Sequence, residues 1–178
     1  MTSQDIAQIV SEHLLDVPDF PEEGVLFKDV TPLIAHAEAF NAVIGDMADR
    51  HRGEVDVVAG IEARGFIFGA AVAHELGLGF VPVRKAGKLP GQTAKVSYQL
   101  EYGSATIEIK ADGIPVGSRV LLIDDVLATG GTAAAAFDLI EQVGAQVAGF
   151  DVVIELLSLS GRDRLRTAGR EVHAQLSV

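Results

Sequence analysis

The stretch from Val120 to Ala133, VLLIDDVLATGGTA, determines how the rest of this chain is interpreted. It begins with a continuous apolar run, which is typical of a parallel strand buried on both faces. Asp124 and Asp125 follow at the carboxyl end of that strand, where open α/β sheets bind their ligands. The turn from Thr129 to Thr132 leads into apolar residues at helical spacing, so it presents free backbone N–H groups at a helix start. The pattern therefore predicts an anion site.

Length and composition are sufficient for one well-buried domain. The chain has 178 residues, is 48% hydrophobic and contains no cysteine, which excludes disulfides, thiolate metal sites and a cysteine nucleophile. No apolar run approaches the roughly 18 residues of a membrane span, and the N-terminus lacks a secretory pattern. We expect a single domain over residues 1–178, a cytoplasmic location and no membrane partner.

The charge distribution gives a second indication of the ligand. A net charge of −11 argues against a nucleic-acid partner, because such surfaces are usually basic. Between Glu75 and Glu101 there is no acidic residue, and the basic residues Arg84, Lys85, Lys88 and Lys95 all fall there. This segment is either a site for a small polyanion or a solvated basic loop.

Strand and helix patterns alternate through most of the chain. Apolar runs at 55–61, 80–83, 119–124 and 146–157 predict strands, with helices at 66–76 and after the Gly/Thr turn. This βαβ order predicts an α/β fold with a central, mainly parallel sheet flanked by helices.

Two further segments lie outside that alternation. Ahead of it, a first helix and a Pro-punctuated segment at 16–29 precede Thr31-Pro32, which predicts the start of a helix ending near residues 51–53. Residues 95–100 and 104–109 alternate around Glu101-Tyr102-Gly103, which predicts a β-hairpin that acts as a mobile flap.

Arg64 follows the strand at 55–61, so it lies at the same sheet edge as the acid pair. Its guanidinium is either a site for a second phosphate group or a structural contact at a helix end. Two adjacent carboxylates beside a phosphate turn require hydrogen-bond donors or a cation, and the vicinal hydroxyls of a sugar are such donors.

Other phosphate motifs fail on spacing. A P-loop needs a lysine that the turn lacks, and no GxGxxG fingerprint is present. The five histidines are scattered, so none is assigned a metal. A ribose 5-phosphate that carries a diphosphate fits best.

The motif LLIDDVLATGGTA closely resembles the phosphoribosyl-diphosphate signature of type I phosphoribosyltransferases. GVLFKDVTP (24–32), GIEARGFIFGAAVAHELGLGF (60–80), VRKAGKLPG (83–91) and SYQLEYG (97–103) are similar to segments of the adenine-specific members, in order and spacing. The resemblance implies the type I fold, in which residues 1–32 add a helix and a small base-binding hood, with a flexible hairpin flap. It also implies purine salvage: transfer of 5-phosphoribose from its 1-diphosphate to N9 of adenine, giving AMP and pyrophosphate, with Mg²⁺ in a homodimer.

The resemblance also implies a role for individual residues. In catalysis it implies Glu101, acting near the base nitrogens, and Arg64. For phosphoribosyl diphosphate it implies Asp124 and Asp125 at the ribose hydroxyls, Ala128, Thr129, Gly130, Gly131 and Thr132 at the 5-phosphate, and Ala63, Arg84 and Lys88 at the pyrophosphate. For adenine it implies Phe27, which stacks on the base, and the backbone of Leu26 and Lys28. Mg²⁺ is held mainly through the substrate, with Asp124 as the one candidate protein ligand.

Simpler interpretations of these residues stay open at this point. Glu101 is otherwise an exposed hairpin acid, Phe27 a plug at the core edge, and Asp124 with Asp125 a capping pair before a helix. The alternative functions are a transferase of the same fold for another nucleobase and a non-catalytic regulator that binds phosphoribosyl diphosphate.

Overall fold

A computed structural model describes residues 3–99 and 103–178 of the chain. The helices are Ser3–Glu12 (α1), Thr31–Ala35 (α2), Ala37–His51 (α3), Gly65–Leu76 (α4), Gly131–Gln142 (α5) and Gly161–Thr167 (α6). The strands are Leu15–Val17 (β1), Phe27–Asp29 (β2), Val57–Ile61 (β3), Gly79–Lys85 (β4), Thr93–Gln99 (β5), Ser104–Lys110 (β6), Arg119–Leu127 (β7), Gln146–Glu155 (β8) and His173–Ser177 (β9). Within these residues, no helix is long and apolar enough to cross a membrane.

The central sheet is mainly parallel, as predicted. Among the described residues its strand order is β5-β6-β4-β3-β7-β8-β9. β4, β3, β7, β8 and β9 are parallel to one another, whereas β5 and β6 form an antiparallel hairpin that continues the sheet beside β4. The predicted α/β fold is therefore confirmed.

The hydrophobic core lies on both faces of this sheet. Val120 and Leu122 point to a cluster that includes α5, whereas Leu121 and Ile123 point to a cluster formed with α1, α3 and α4. All four side chains are fully buried. This two-sided burial explains why β7 is a continuous apolar run without alternation.

The predicted helix from Thr31 to residues 51–53 is wrong in one respect, because it is two helices. His36 adopts an extended backbone conformation and its Nδ1 accepts a hydrogen bond from the backbone N–H of Ala39 at 3.3 Å. His36 therefore ends α2 and is the N-cap residue of α3, a position where Asn or Asp is more usual.

The segment before α2 contains a small separate sheet, in which β1 pairs antiparallel with β2. α1 packs beside α3 and β9. The use of this region as a base-binding hood stays a prediction. So does the mobility of the β5–β6 flap, and the predicted acid Glu101 lies outside the described residues.

Candidate active site

The site lies where the sheet changes winding direction. From β3 the chain crosses to β4 on one side, and from β7 it crosses to β8 on the other, so the turns after β3 and β7 adjoin at one sheet edge. Such a switch point opens a crevice for ligands. The two turns approach each other closely at Gly65, where a side chain would not fit. A β-carbon there would lie 2.9 Å from the carbonyl oxygen of Ile123 and 3.0 Å from Oδ1 of Asp124.

The acid pair is held by one arginine and one backbone amide. Nε of Arg64 donates a hydrogen bond to Oδ2 of Asp125, and the backbone N–H of Asp125 donates to Oδ1 of Asp124 at 2.9 Å. In the part of the chain that the structure describes, no other residue donates a hydrogen bond to Oδ2 of Asp124 or to Oδ1 of Asp125. The two acid side chains also interact with each other, which helps to raise the pKa of Asp124. Two neighbouring free acceptors match the two hydroxyls of a vicinal diol.

The pKa of Asp124 is shifted from its usual value. Burial, together with the negative charge of neighbouring Asp125, raises the pKa of Asp124 well above its usual value. The ionised form of Asp124 is therefore stabilised by any ligand that supplies hydrogen-bond donors or a cation.

The Gly/Thr turn encloses a cavity of about 80 Å³, lined by Asp124 and by residues 126–133. Gly130 adopts a left-handed conformation with φ of 76°, and α5 starts at the next residue. The first backbone hydrogen bond of α5 runs from the N–H of Ala134 to the carbonyl of Gly130 at 2.9 Å. The N–H groups of residues 131–133 thus precede the helical ladder, and they are available to an anion.

The turn after β3 carries the residues predicted for pyrophosphate. The peptide bond between Glu62 and Ala63 is cis. Arg84 donates to both oxygens of Glu62, at 3.2 and 3.3 Å, and to the carbonyl oxygen of Lys88 at 3.3 Å. These bonds from Arg84 lower the pKa of Glu62 despite the opposing effect of burial. The structure thus brings Arg84 to the turn that contains Ala63 and Arg64, and Lys88 is connected to that turn only through its carbonyl contact with Arg84.

The acid-free segment is ordered around a carboxylate from outside it. Buried Glu108, on β6, accepts the backbone N–H groups of Lys88 and Leu89 at 2.9 Å each, and lies 3.4 Å from Nζ of Lys95. Burial raises the pKa of Glu108, but the N–H groups of Leu89 and Lys88 outweigh it, so the pKa lies below its usual value. Glu108 therefore holds the backbone of the loop after β4 in place, while the side chain of Lys88 in that loop is exposed.

Phe27, which is predicted to contact the nucleobase, lies next to Arg64, whose guanidinium also contacts Asp125. The ring of Phe27 packs edge-on against Phe20 at 5.1 Å, and Cζ of Arg64 lies 5.2 Å from its centre. Phe27 belongs to neither core cluster, which argues against the simple role of a core plug. Leu26 is half-exposed, whereas the ammonium of Lys28 forms an ion pair with Asp16 at 2.7 Å.

Comparison with known proteins agrees with this geometry. Residues 33–170 match the family model of the phosphoribosyl transferase domain. The chain belongs to the phosphoribosyltransferase family. The adenine phosphoribosyltransferase of Salinispora tropica is 53% identical over 99% of this chain and 94% of its own length.

Two solved structures resemble this phosphoribosyltransferase along nearly its whole length. One is an adenine phosphoribosyltransferase from Rhodothermus marinus, with a TM-score of 0.91 and 48% identity over 98% of this chain and 99% of that one. The other, from Saccharomyces cerevisiae, was crystallised with D-2,5-dideoxy-2,5-imino-altritol 1,6-bisphosphate and adenine. It has a TM-score of 0.91 and 42% identity over 97% of this chain and 99% of that one. The predicted family and the predicted transferase class are confirmed.

Sequence reasoning about this phosphoribosyltransferase missed two residues at the phosphate turn. Tyr98, on the flap strand β5, shares a hydrogen bond of 3.0 Å between its hydroxyl and that of Thr132. Arg164, on α6, has its guanidinium over Gly131. Alternation along β5 could have placed Tyr98 on the inner face with Val96, but no local signal connects either residue to the turn.

Proposed function

We propose that this chain transfers 5-phosphoribose from its 1-diphosphate to N9 of adenine, producing AMP and pyrophosphate. The observation that carries the proposal is the unbroken contact from Phe27 through Arg64 to Asp125, which joins the predicted base site to the predicted ribose site. The similarity to proteins named adenine phosphoribosyltransferase supports adenine as the base.

The phosphate turn and the acid pair bind the ribose 5-phosphate half of the donor in this proposal. The N–H groups of residues 131–133, together with Ala128, Thr129 and Gly130, surround the 5-phosphate. Asp124 and Asp125 each offer one free oxygen to a ribose hydroxyl, which aligns C1 of the sugar with the turn after β3.

The chemical step is a displacement at C1. N9 of adenine forms the new bond to C1, the bond from C1 to the diphosphate oxygen breaks, and the electron pair leaves with pyrophosphate. Arg64 and the amide of Ala63 stabilise the growing negative charge of the leaving group, aided by Arg84 and Lys88. Phe27 fixes the plane of the base, and the backbone of Leu26 and Lys28 binds its edge. Glu101 accepts the ring proton from N7 as N9 bonds to C1, a role that rests on the resemblance alone.

Magnesium fits the donor atoms available here. Within residues 3–99 and 103–178, no group of three or more His, Cys, Asp or Glu side chains is arranged to hold a metal. Mg²⁺ typically binds one or two carboxylates together with substrate phosphates, and Oδ2 of Asp124 would keep a second lone pair for Mg²⁺ while it accepts a ribose hydroxyl. When bound, Mg²⁺ offsets the charge of the diphosphate. A homodimer, a single domain over 1–178 and a cytoplasmic location stay predictions.

The experiment supplies phosphoribosyl diphosphate and Mg²⁺ with adenine, hypoxanthine, guanine, xanthine, uracil or orotate in turn, and measures pyrophosphate release. We expect turnover with adenine well above that with the other bases. Preferred turnover with another base contradicts the adenine assignment. If no base reacts but the diphosphate still raises the melting temperature, the chain is a binding protein without this activity.

A further inference from the structure

The phosphate turn contains no cation of its own. Residues 128–133 are ATGGTA, and Asp124 and Asp125 precede them. A phosphate monoester carries a charge of about −1.5 to −2 at neutral pH, so its placement beside two carboxylates is electrostatically unfavourable. Arg64 is already paired with Asp125. A second positive group near the turn would therefore strengthen binding of the 5-phosphate.

Helix α6 packs directly on this turn. A β-carbon at Gly161, the first residue of α6, would lie 2.2 Å from the carbonyl oxygen of Ala128, and one at Gly130 would lie 2.9 Å from the carbonyl oxygen of Gly161. Two glycines thus bring the two backbones into direct contact. The position of α6 relative to the turn is fixed by main-chain atoms.

The other side of α6 is held by an ion pair. Arg162 donates from Nε to both oxygens of buried Glu155, at 2.8 and 3.0 Å, and from Nη1 to the carbonyl oxygen of Val172 at 2.6 Å. These bonds lower the pKa of Glu155 in spite of its burial. The start of α6 is therefore anchored to β8 as well as to the phosphate turn.

Arg164 is the residue that this packing directs toward the turn. Its Nη1 and Cζ lie 3.4 and 3.8 Å from the position of a β-carbon built on Gly131. The side chain is exposed, and among the described residues no carboxylate pairs with its guanidinium. This differs from Arg162 and Arg170, which are both engaged by acids.

We propose that Arg164 binds the 5-phosphate of the donor through charge-assisted hydrogen bonds. The inference deepens the proposed function and rests on it, since the ligand of the turn is taken to be a ribose 5-phosphate group. A planar guanidinium matches two phosphate oxygens at once. Because this contact is remote from C1, it stabilises the bound substrate and the transition state equally.

The test compares Arg164→Gln with Arg166→Gln. Arg166 is an exposed arginine on the same helix, it lines a different cavity with Arg162 and Arg170, and its substitution removes the same charge. We expect Arg164→Gln to raise the KM for phosphoribosyl diphosphate roughly ten- to thirtyfold. The kcat and the KM for adenine stay unchanged. Arg166→Gln keeps the parent KM, and Arg164→Lys recovers part of the loss.

Calorimetry makes the result independent of turnover. Ribose 5-phosphate should bind Arg164→Gln more weakly by the same factor, whereas pyrophosphate should bind both proteins equally. Equal affinity of ribose 5-phosphate for the parent and Arg164→Gln overturns the inference, as does an equal loss in Arg166→Gln. If the parent protein binds ribose 5-phosphate through Arg164 but does not turn over adenine, the proposed function fails while this site stands.

Discussion

The contact between Gly161 and Ala128 leads to a sharp prediction for Gly161→Ala. The added methyl would stand 2.2 Å from the carbonyl oxygen of Ala128 and 3.0 Å from two atoms of Leu127. Ordinary van der Waals contacts of a β-carbon begin near 3.4 Å, so one backbone segment has to move by about 1 Å. Because the ion pair between Arg162 and Glu155 of β8 holds α6 in place, we expect the phosphate turn to make part of that movement.

The expected cost falls mainly on catalysis. A misplacement of about 1 Å in a substrate-positioning element costs on the order of 10²-fold in rate. We therefore expect kcat/KM for phosphoribosyl diphosphate to fall roughly a hundredfold in Gly161→Ala. Overpacking costs about 1–3 kcal/mol in the free energy of unfolding, so the variant should still fold. Initial rates and urea unfolding measure the two effects separately.

The control is Gly45→Ala, in the interior of α3. A β-carbon at Gly45 meets no atom within 4 Å, and alanine is favoured over glycine inside a helix by about 0.5–1 kcal/mol. Gly45→Ala should unfold at slightly higher urea with unchanged kinetics. Parent-like kcat/KM in Gly161→Ala would refute the claim that this contact positions the turn.

Three further predictions concern the acid pair, the base site and acid stability. Asp125→Ala should lower kcat at least roughly tenfold while circular dichroism stays unchanged, and near-normal turnover would count against the ribose role. Phe27→Leu should raise the KM for adenine roughly tenfold, because stacking on a base contributes about 1–3 kcal/mol; an unaltered KM would exclude stacking. Hydrogen bonds from Arg119 lower the pKa of Asp56 from 3.8 to about 2, so Asp56 stabilises the fold above pH 3.8 and loses this effect as the pH falls through 2. The difference in melting temperature between the parent and Asp56→Asn should therefore be largest above pH 5 and shrink toward zero as the pH falls through 2, and a constant difference would contradict the assignment.

The elements that the sequence predicted well are those in which burial or turn geometry directly dictates the residue types. β7 was predictable because burial on both faces requires an uninterrupted apolar run, and the turn after it because glycines and threonines before a helical pattern expose N–H groups. The position of Arg64 followed from the parallel arrangement alone, since parallel strands end at one edge.

The features that sequence did not predict depend on contacts between distant segments. The break at His36 depends on a side chain acting as a helix cap, a role that histidine seldom fills. Buried Glu108 is an acid on a strand, and its hydrogen-bond donors come from a loop about twenty residues earlier. Arg164 reaches the phosphate turn only because Gly161 touches Ala128, more than thirty residues away in sequence.

The contacts of Arg64 have a consequence for how the two substrates affect each other. One guanidinium touches both the ring of Phe27 and the carboxylate of Asp125, so a ligand at either residue changes the surroundings of the other. By thermodynamic reciprocity, the proposed function requires that the factor by which the ribose donor changes the affinity for adenine equals the factor by which adenine changes the affinity for the donor. Under the proposed function, Arg64 is thus the residue through which the affinities for two chemically unrelated substrates would be coupled.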